Sequence, residues 1–533
     1  MKSLKKKSFA ALFIVLLPFL LNGCGSGDST VSTTTVTGSV FAGPAFGATV
    51  SVKTSAGAVI AGPVTTRSDG SYSIAIPASA VTSDLVFEAS SGTFTDEATA
   101  TTGVSLGSAA LTAYVAGGTL AATSHVTLDP SSTIVQKLVV GGKTKAAAEA
   151  IFNTAFGYLP DVSVKPAFAN LSSAATTAQR LAGLKAAVFS QLARDLGLAP
   201  AKQFELLQAL ADDLSDGSLD GKKGTAAVLT PSGTPLPEDI GNSYAGSLIN
   251  FLGSANNKTK LTPAQVNAPS FNPISLTPSY RVQYAPAAGG DSAGKDTFTL
   301  KITKRSDGSA ATGLASGIVL NPLMVMTSMS GGTTWPNAVA ETSTPGTYTG
   351  TVYYSMATTG MDMYWKLSVV IGTETAVFYP YAAALPTGNT VSVKFSNGND
   401  TTTGTTKRTY RVWRDSLTAR PGGTYDFSVF VSSIDGGNTL PVYAGQSWST
   451  APLAISTVTL QASTDGTTWV TLSPVGTNTG RYTVNRLALM QGMTMPVYVK
   501  LSINGNVYTT NGLAYDNGTG TASNAVQTVS VTP

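Results

Sequence analysis

Cysteine, histidine and charge are all scarce in this 533-residue chain, and each scarcity removes a class of function. Cys24 is the only cysteine, so no disulfide can form within the chain. His125 is the only histidine. It leaves no zinc-ligand spacing and no base for the two Gly-x-Ser-x-Gly matches, Gly103–Gly107 and Gly290–Gly294. In a chain with 54 glycines both matches read as loops, and His125 reads as a surface or domain-junction residue. Only 12% of residues are charged, and Lys2, Lys5, Lys6 and Lys7 supply the whole net charge of +4. The remainder is neutral and lacks the basic footprint of a nucleic-acid binder. No phosphate-cradling loop or dinucleotide fingerprint is present, and no acidic cluster suggests paired catalytic carboxylates. The run Asp213 to Gly221 looks like a calcium loop but lacks the alternating ligands and closing Glu, so a helix end followed by turns is expected.

What is present first is an address. A Lys-rich start and an apolar run from Phe9 to Leu21, too short to span a bilayer, read as a secretory signal over residues 1–23. It ends in Leu21-Asn22-Gly23-Cys24, which resembles the bacterial lipobox. The resemblance implies cleavage before Cys24 and acylation of that residue. Gly25 rather than Asp follows, which by the same resemblance points to the outer membrane. Residues 24–36 are small and polar, as a lipidated tether requires.

Residues 37–115 show short alternating runs, such as Tyr72-Ser73-Ile74-Ala75-Ile76, between turn clusters such as Ser68-Asp69-Gly70-Ser71. Thr37-Gly38-Ser39-Val40, Gly47 to Val52 and Thr66 to Ile74 together resemble the carboxypeptidase regulatory-like (transthyretin-like) domains. That implies a small non-catalytic antiparallel sandwich, in a fold group that includes carbohydrate-binding domains. Helical spacing then takes over, and residues 116–268 are expected to form a helical domain. The spacing predicts helices over 145–156, capped by Thr144 and ended by Gly157, and over about 177–196, 201–214 and 238–252. The second carries an apolar stripe of Leu181, Leu184, Val188, Leu192 and Leu196.

The C-terminal half repeats itself. Gly332-Thr333-Thr334-Trp335, Gly346-Thr347-Tyr348-Thr349 and Gly360 to Gly372 are matched by Gly466-Thr467-Thr468-Trp469, Gly480-Arg481-Tyr482-Thr483 and Gly492 to Gly505. This predicts two copies of one β-sandwich, over 269–405 and 406–533. Every methionine but the initiator lies in these copies. Strand alternation places Met361, Met363, Trp365, Leu367, Val369 and Ile371 on one face, and Met493, Met495, Val497, Val499, Leu501 and Ile503 on the matching face. Two uses follow. Methionine fills irregular core space, or Met324, Met326, Met329, Met356, Met361 and Met363 gather as thioether ligands that select Cu(I). The second copy has Val458, Leu460 and Ser463 in place of the first three, so a complete metal site is expected only in the first. Through Gly346 to Thr349, Met356 and Trp365-Lys366-Leu367-Ser368-Val369 the copies resemble the YtkA-like and FixH-like extracytoplasmic β-sandwich domains. Some relatives in that family occur beside copper-handling or oxidase-assembly proteins.

The expectation is a multidomain, mainly β chain, with antiparallel β-sandwiches and a central α-helical domain. It is an outer-membrane-anchored lipoprotein acting as a non-catalytic binding or scaffold module for a carbohydrate or protein ligand, partnered with the membrane and not with nucleic acid. The alternatives are a Cu(I)-handling protein and a carboxylate-based enzyme.

Overall fold

The computed structural model describes residues 32–107, 111–167, 175–262, 265–266, 272–325, 330–334, 338–358, 364–386, 389–402, 406–435, 438–449, 453–513 and 524–533. The chain is mainly β, with several antiparallel sheets and five α-helices among the described residues.

Near the N-terminus, strand Thr33–Val40 lies between the antiparallel strand Ser71–Pro77 and the parallel strand His125–Leu128. A second sheet runs Val59–Thr65, Thr49–Thr54, Leu85–Ser90, Leu111–Val115. Alternation sets the faces: Tyr72, Ile74 and Ile76 are buried while Ser73 and Ala75 are exposed. His125, read from sequence as a surface or domain-junction residue, thus opens a strand of this sheet, His125–Leu128.

Helices α1 (Pro130–Val140), α2 (Lys145–Phe156), α3 (Thr177–Asp195), α4 (Gln203–Asp213) and α5 (Ile240–Leu252) follow. Thr144 Oγ1 accepts from Ala147 N, and Gly157 closes α2 at φ 80°, as the spacing predicted. Helix α1 was not anticipated, although Asp129 caps it in a reciprocal box with Ser132 and Pro130 takes its first turn. It docks on strand Leu111–Val115 through Thr112, whose N–H reaches Thr133 Oγ1 and whose hydroxyl reaches Gln136 Oε1. The hydrophobic core is continuous across strands and helices, joining Val36, Ile74 and Phe87 to Ile134, Phe152, Leu184, Leu207 and Phe251.

The two C-terminal repeats share one strand order. In the first, Ile274–Leu276, Tyr280–Pro286, Gly294–Lys304, Thr347–Tyr354 and Val339–Glu341 make one sheet. Ser330–Gly331, Ile318–Val325, Tyr364–Ile371 and Glu374–Phe378 make the other. In the second, Ser392–Thr401, Lys407–Arg420, Thr424–Asp435, Arg481–Ala488 and Ser473–Pro474 match the first sheet, and Val470–Thr471, Val458–Ser463, Met495–Ile503 and Asn506–Tyr508 match the other. Strand Ser392–Thr401 pairs with Lys407–Arg420, in the second repeat's sheet. In each repeat both sheets contribute to a single apolar core.

The match extends to single bonds. Ile302 N donates to Gly346 O at 2.7 Å and Val431 N to Gly480 O at 2.8 Å. Tyr348 OH donates to Ala311 O at 2.6 Å and Tyr482 OH to Val442 O at 3.0 Å. Gly346 and Gly480 have φ of 70° and 69°, and a Cβ on either would lie 2.8 Å from the carbonyl oxygen of Ile302 or Val431. The Gly-x-Tyr landmark therefore marks a strand entry that needs a left-handed residue in close contact with its neighbour. Trp469 stacks under Lys500, whose Nζ is 3.9 Å from the ring centre; its counterpart Trp335 lies outside the described residues.

Helix α5 joins the two halves of the chain. Its Tyr244 packs on Phe156 and Phe189, while Ala245 and Ile249 pack on Tyr364 and Tyr379 of the first repeat. Beside it Arg281 grips Glu238 with two bonds of 2.8 and 2.7 Å, and Leu276 N donates to Asp239.

Candidate functional site at the methionine-bearing end of the first repeat

Strand Ile318–Val325 alternates buried and exposed, which puts Met324 on the core face at 1% exposure, paired in register with Trp365. Met356 is half-buried against the same core, and its carbonyl accepts from Trp365 Nε1 at 3.1 Å. Met326, Met329, Met361, Met363 and Cys24 lie outside the described residues. In the second repeat Met495 opens its strand and packs against the core. Met493, expected on the same face, instead precedes the strand and is exposed, as is Met490. Gly492 at φ 76° turns the chain there, so extended alternation does not reach back past Met495.

The same end of the first repeat holds a group of polar side chains that sequence reading did not find. Asp296 stands on the core face of Gly294–Lys304, in step with the buried Phe298, Leu300 and Ile302. Asp291 is buried nearby, and Tyr284 OH donates to its Oδ1 at 2.5 Å. Ser292 N donates to Asp296 Oδ1 at 3.2 Å. Burial, and then the charge of Asp291, push Asp296 up to about 8. Burial also raises Asp291. The Tyr354 hydroxyl and Asp296 Oδ2 are buried without a well-aligned donor or acceptor. The parity of Asp296 in an otherwise apolar series was the available signal. The approach of Asp291 from the loop was not legible.

The second repeat handles a buried acid differently. Asp400 accepts from Tyr410 and Tyr508 hydroxyls at 2.6 and 2.8 Å and from Arg408 Nε at 3.1 Å, with Arg408 fully buried. A cation offsets the charge there. At the seam between repeats Asp415 plays the corresponding part, bound by Lys295 at 2.7 Å, by Arg481 at 2.7 and 2.9 Å and by Tyr353 OH at 2.8 Å. Tyr353 stacks on Phe430 with Trp413 beside it.

Elsewhere, His125 Nε2 lies 3.2 Å from Ser39 Oγ across the parallel strand pair, and burial lowers its pKa. The calcium-like run is a helix end with turns: α4 stops at Asp213, whose buried carboxylate accepts from the N–H groups of Asp220, Gly221 and Lys222. Gly290–Gly294 is irregular chain leading into a strand, and its Ser292 pairs with Ala383 by an isolated bridge. A solvent-open notch of about 550 Å³ lies between Pro278–Tyr280 and Lys304–Ser306. Among the described residues no three His, Cys, Asp or Glu side chains gather as for a metal ion. No protein-family model matches the chain, and no curated protein matches it significantly.

Proposed function

We propose that the protein is a lipid-anchored scaffold or binding module of the bacterial envelope, held at the outer membrane through Cys24. In this reading residues 37–115 are a carboxypeptidase regulatory-like sandwich, residues 116–268 a helical domain, and the repeats two sandwiches of the YtkA-like kind. The observation that supports it is that charged side chains bridge the modules. Asp415 ties the first repeat to the second, and the Glu238–Arg281 pair ties the helices to the first repeat. Polar groups so committed hold modules in fixed relation, as a spacer or display platform requires. The ligand in this reading is a carbohydrate or another envelope protein. Among the described residues no helix is long and apolar enough to cross a membrane.

The test is Cys24→Ala. The wild type should fractionate with membranes and the variant should move wholly to the soluble fraction, because two or three acyl chains are what make such attachment stable. A variant that still sediments with membranes as the wild type does would remove the anchor and the location with it.

A further inference from the structure

The second repeat gathers its three methionines in one stretch, Met490-Gln491-Gly492-Met493-Thr494-Met495, which crosses from strand Arg481–Ala488 of one sheet to strand Met495–Ile503 of the other. Two of them stand in solvent: Met490 is 58% exposed and Met493 54%. The ordinary use of methionine as core filler therefore accounts for Met495 alone, which is half-buried against the apolar core. The backbone holds the three close together. Met493 N donates to Met490 O at 3.3 Å, closing a turn in which Gly492 has φ 76°, and the ends of such a turn lie within about 7 Å of each other. Met490 N donates to Met495 Sδ at 3.0 Å, so one sulfur already rests at the base of the turn. The last strand pins the turn from outside: Gly492 N donates to Pro533 O at 2.9 Å, the Thr494 and Thr532 hydroxyls are 2.8 Å apart, and Met495 pairs with Val531.

We propose that Met490, Met493 and Met495 form a surface site for Cu(I), with three thioether sulfurs as its ligands. The donor set selects the ion, because soft, polarizable sulfur prefers Cu(I), whereas hard cations take carboxylate and carbonyl oxygen. The N–H of Met490 occupies one lone pair of the Met495 sulfur and leaves the other for a metal. Met490 and Met493 carry unbranched, flexible side chains that are free in solvent to turn toward that sulfur. Their exposure also gives the ion a way in. The sequence places a complete site only in the first repeat, yet Met324 there is shut in the core at 1% exposure. Val458, Leu460 and Ser463, which replace methionines in the second repeat, lie on another strand and leave this turn untouched. The site depends on neither the lipid anchor nor the scaffold reading.

The test is an anaerobic Cu(I) titration against a colorimetric Cu(I) chelator, on the full chain carrying Cys24→Ala, which removes the single thiol as a competing soft ligand. One equivalent should bind, and its affinity should change by less than about threefold between pH 7 and pH 5, because thioethers have no proton to release. Met490→Leu with Met493→Leu alters two exposed side chains and should leave the fold intact, while the affinity falls about tenfold or more. An affinity unchanged by that double replacement, or one lost between pH 7 and pH 5, overturns the proposal. Carbon-13 methyl spectra of methionine-labelled protein locate the ion without these replacements. The methyl groups of Met490, Met493 and Met495 should shift together up to one equivalent of Cu(I). Shifts confined to the methionines of the first repeat, or no shifts at all, overturn the site.

Discussion

Asp415→Ala should lower the stability of the C-terminal half by about 3–5 kcal/mol and split its unfolding into two steps. The carboxylate is fully buried, whereas its partners Lys295 and Arg481 stay about a quarter exposed. Removing it strands two cations and the Tyr353 hydroxyl at a seam where Tyr353, Trp413 and Phe430 also meet. The loss therefore exceeds that of a surface pair, which is typically under about 1 kcal/mol. Denaturant unfolding followed by tryptophan fluorescence would measure it. A midpoint unchanged within about 0.5 kcal/mol would mean that the seam is held by apolar contact alone. The same group carries a pH dependence. Burial by itself would raise the carboxyl, but Lys295 and Arg481 outweigh it and hold Asp415 below its ordinary value. Its contribution is therefore complete above the unfolded carboxylate pKa and is lost as pH falls through the lower, folded one. Wild-type stability should drop on acidification, and the Asp415→Ala variant should lose less over the same range.

Gly38→Ala should cost about 3 kcal/mol or more. A Cβ at Gly38 would lie 2.2 Å from Tyr72 Cζ and 2.2 Å from the carbonyl oxygen of Val126. The ring could turn aside only by giving up the 2.8 Å bond from Tyr72 OH to that same oxygen. The oxygen belongs to strand His125–Leu128, which is paired in parallel with Thr33–Val40 and carries the chain into α1. The substitution thus strikes both neighbours of the central strand of its sheet. Gly317→Ala is the control: nothing lies within 4 Å of its added Cβ, and a change within about 0.5 kcal/mol is expected. Thermal unfolding of the two variants side by side checks the prediction. Equal midpoints would show that the strand shifts to accept the methyl group.

How far such features could be foreseen depends on the range of the interaction involved. Capping is local, so Thr144 and Gly157 marked the ends of α2 correctly. Alternation is local too, and it placed Trp365, Leu367, Val369 and Ile371 on the buried face. It also assigned Tyr364 to the opposite face, where the sequence has no reason to bury a tyrosine. Tyr364 is buried because α5, more than a hundred residues earlier, lies across that face with Ala245 and Ile249. Helix α1 was missed for the converse reason: its Val- and Thr-bearing sequence is a poor helix former by propensity, and docking on Leu111–Val115 supplies what propensity does not.

The sequence by itself determined the duplication, since a Gly-x-Tyr strand entry is a steric requirement written in two residues two positions apart, and Gly346 with Tyr348 recurs as Gly480 with Tyr482 in the same bonds. It also determined which residues of a strand share a face, because side-chain direction there is set by the backbone alone. Only the tertiary structure decided which charges would be confined together. Asp415 meets Tyr353 and Arg481 from 62 and 66 positions away, and Asp296 meets Asp291 because a loop folds back over the end of its strand. Nothing in the local sequence of a carboxylate says whether a cation or a second carboxylate will face it. That is fixed by the packing of strands and loops, which gives Asp415 two cations and leaves Asp296 next to the charge of Asp291.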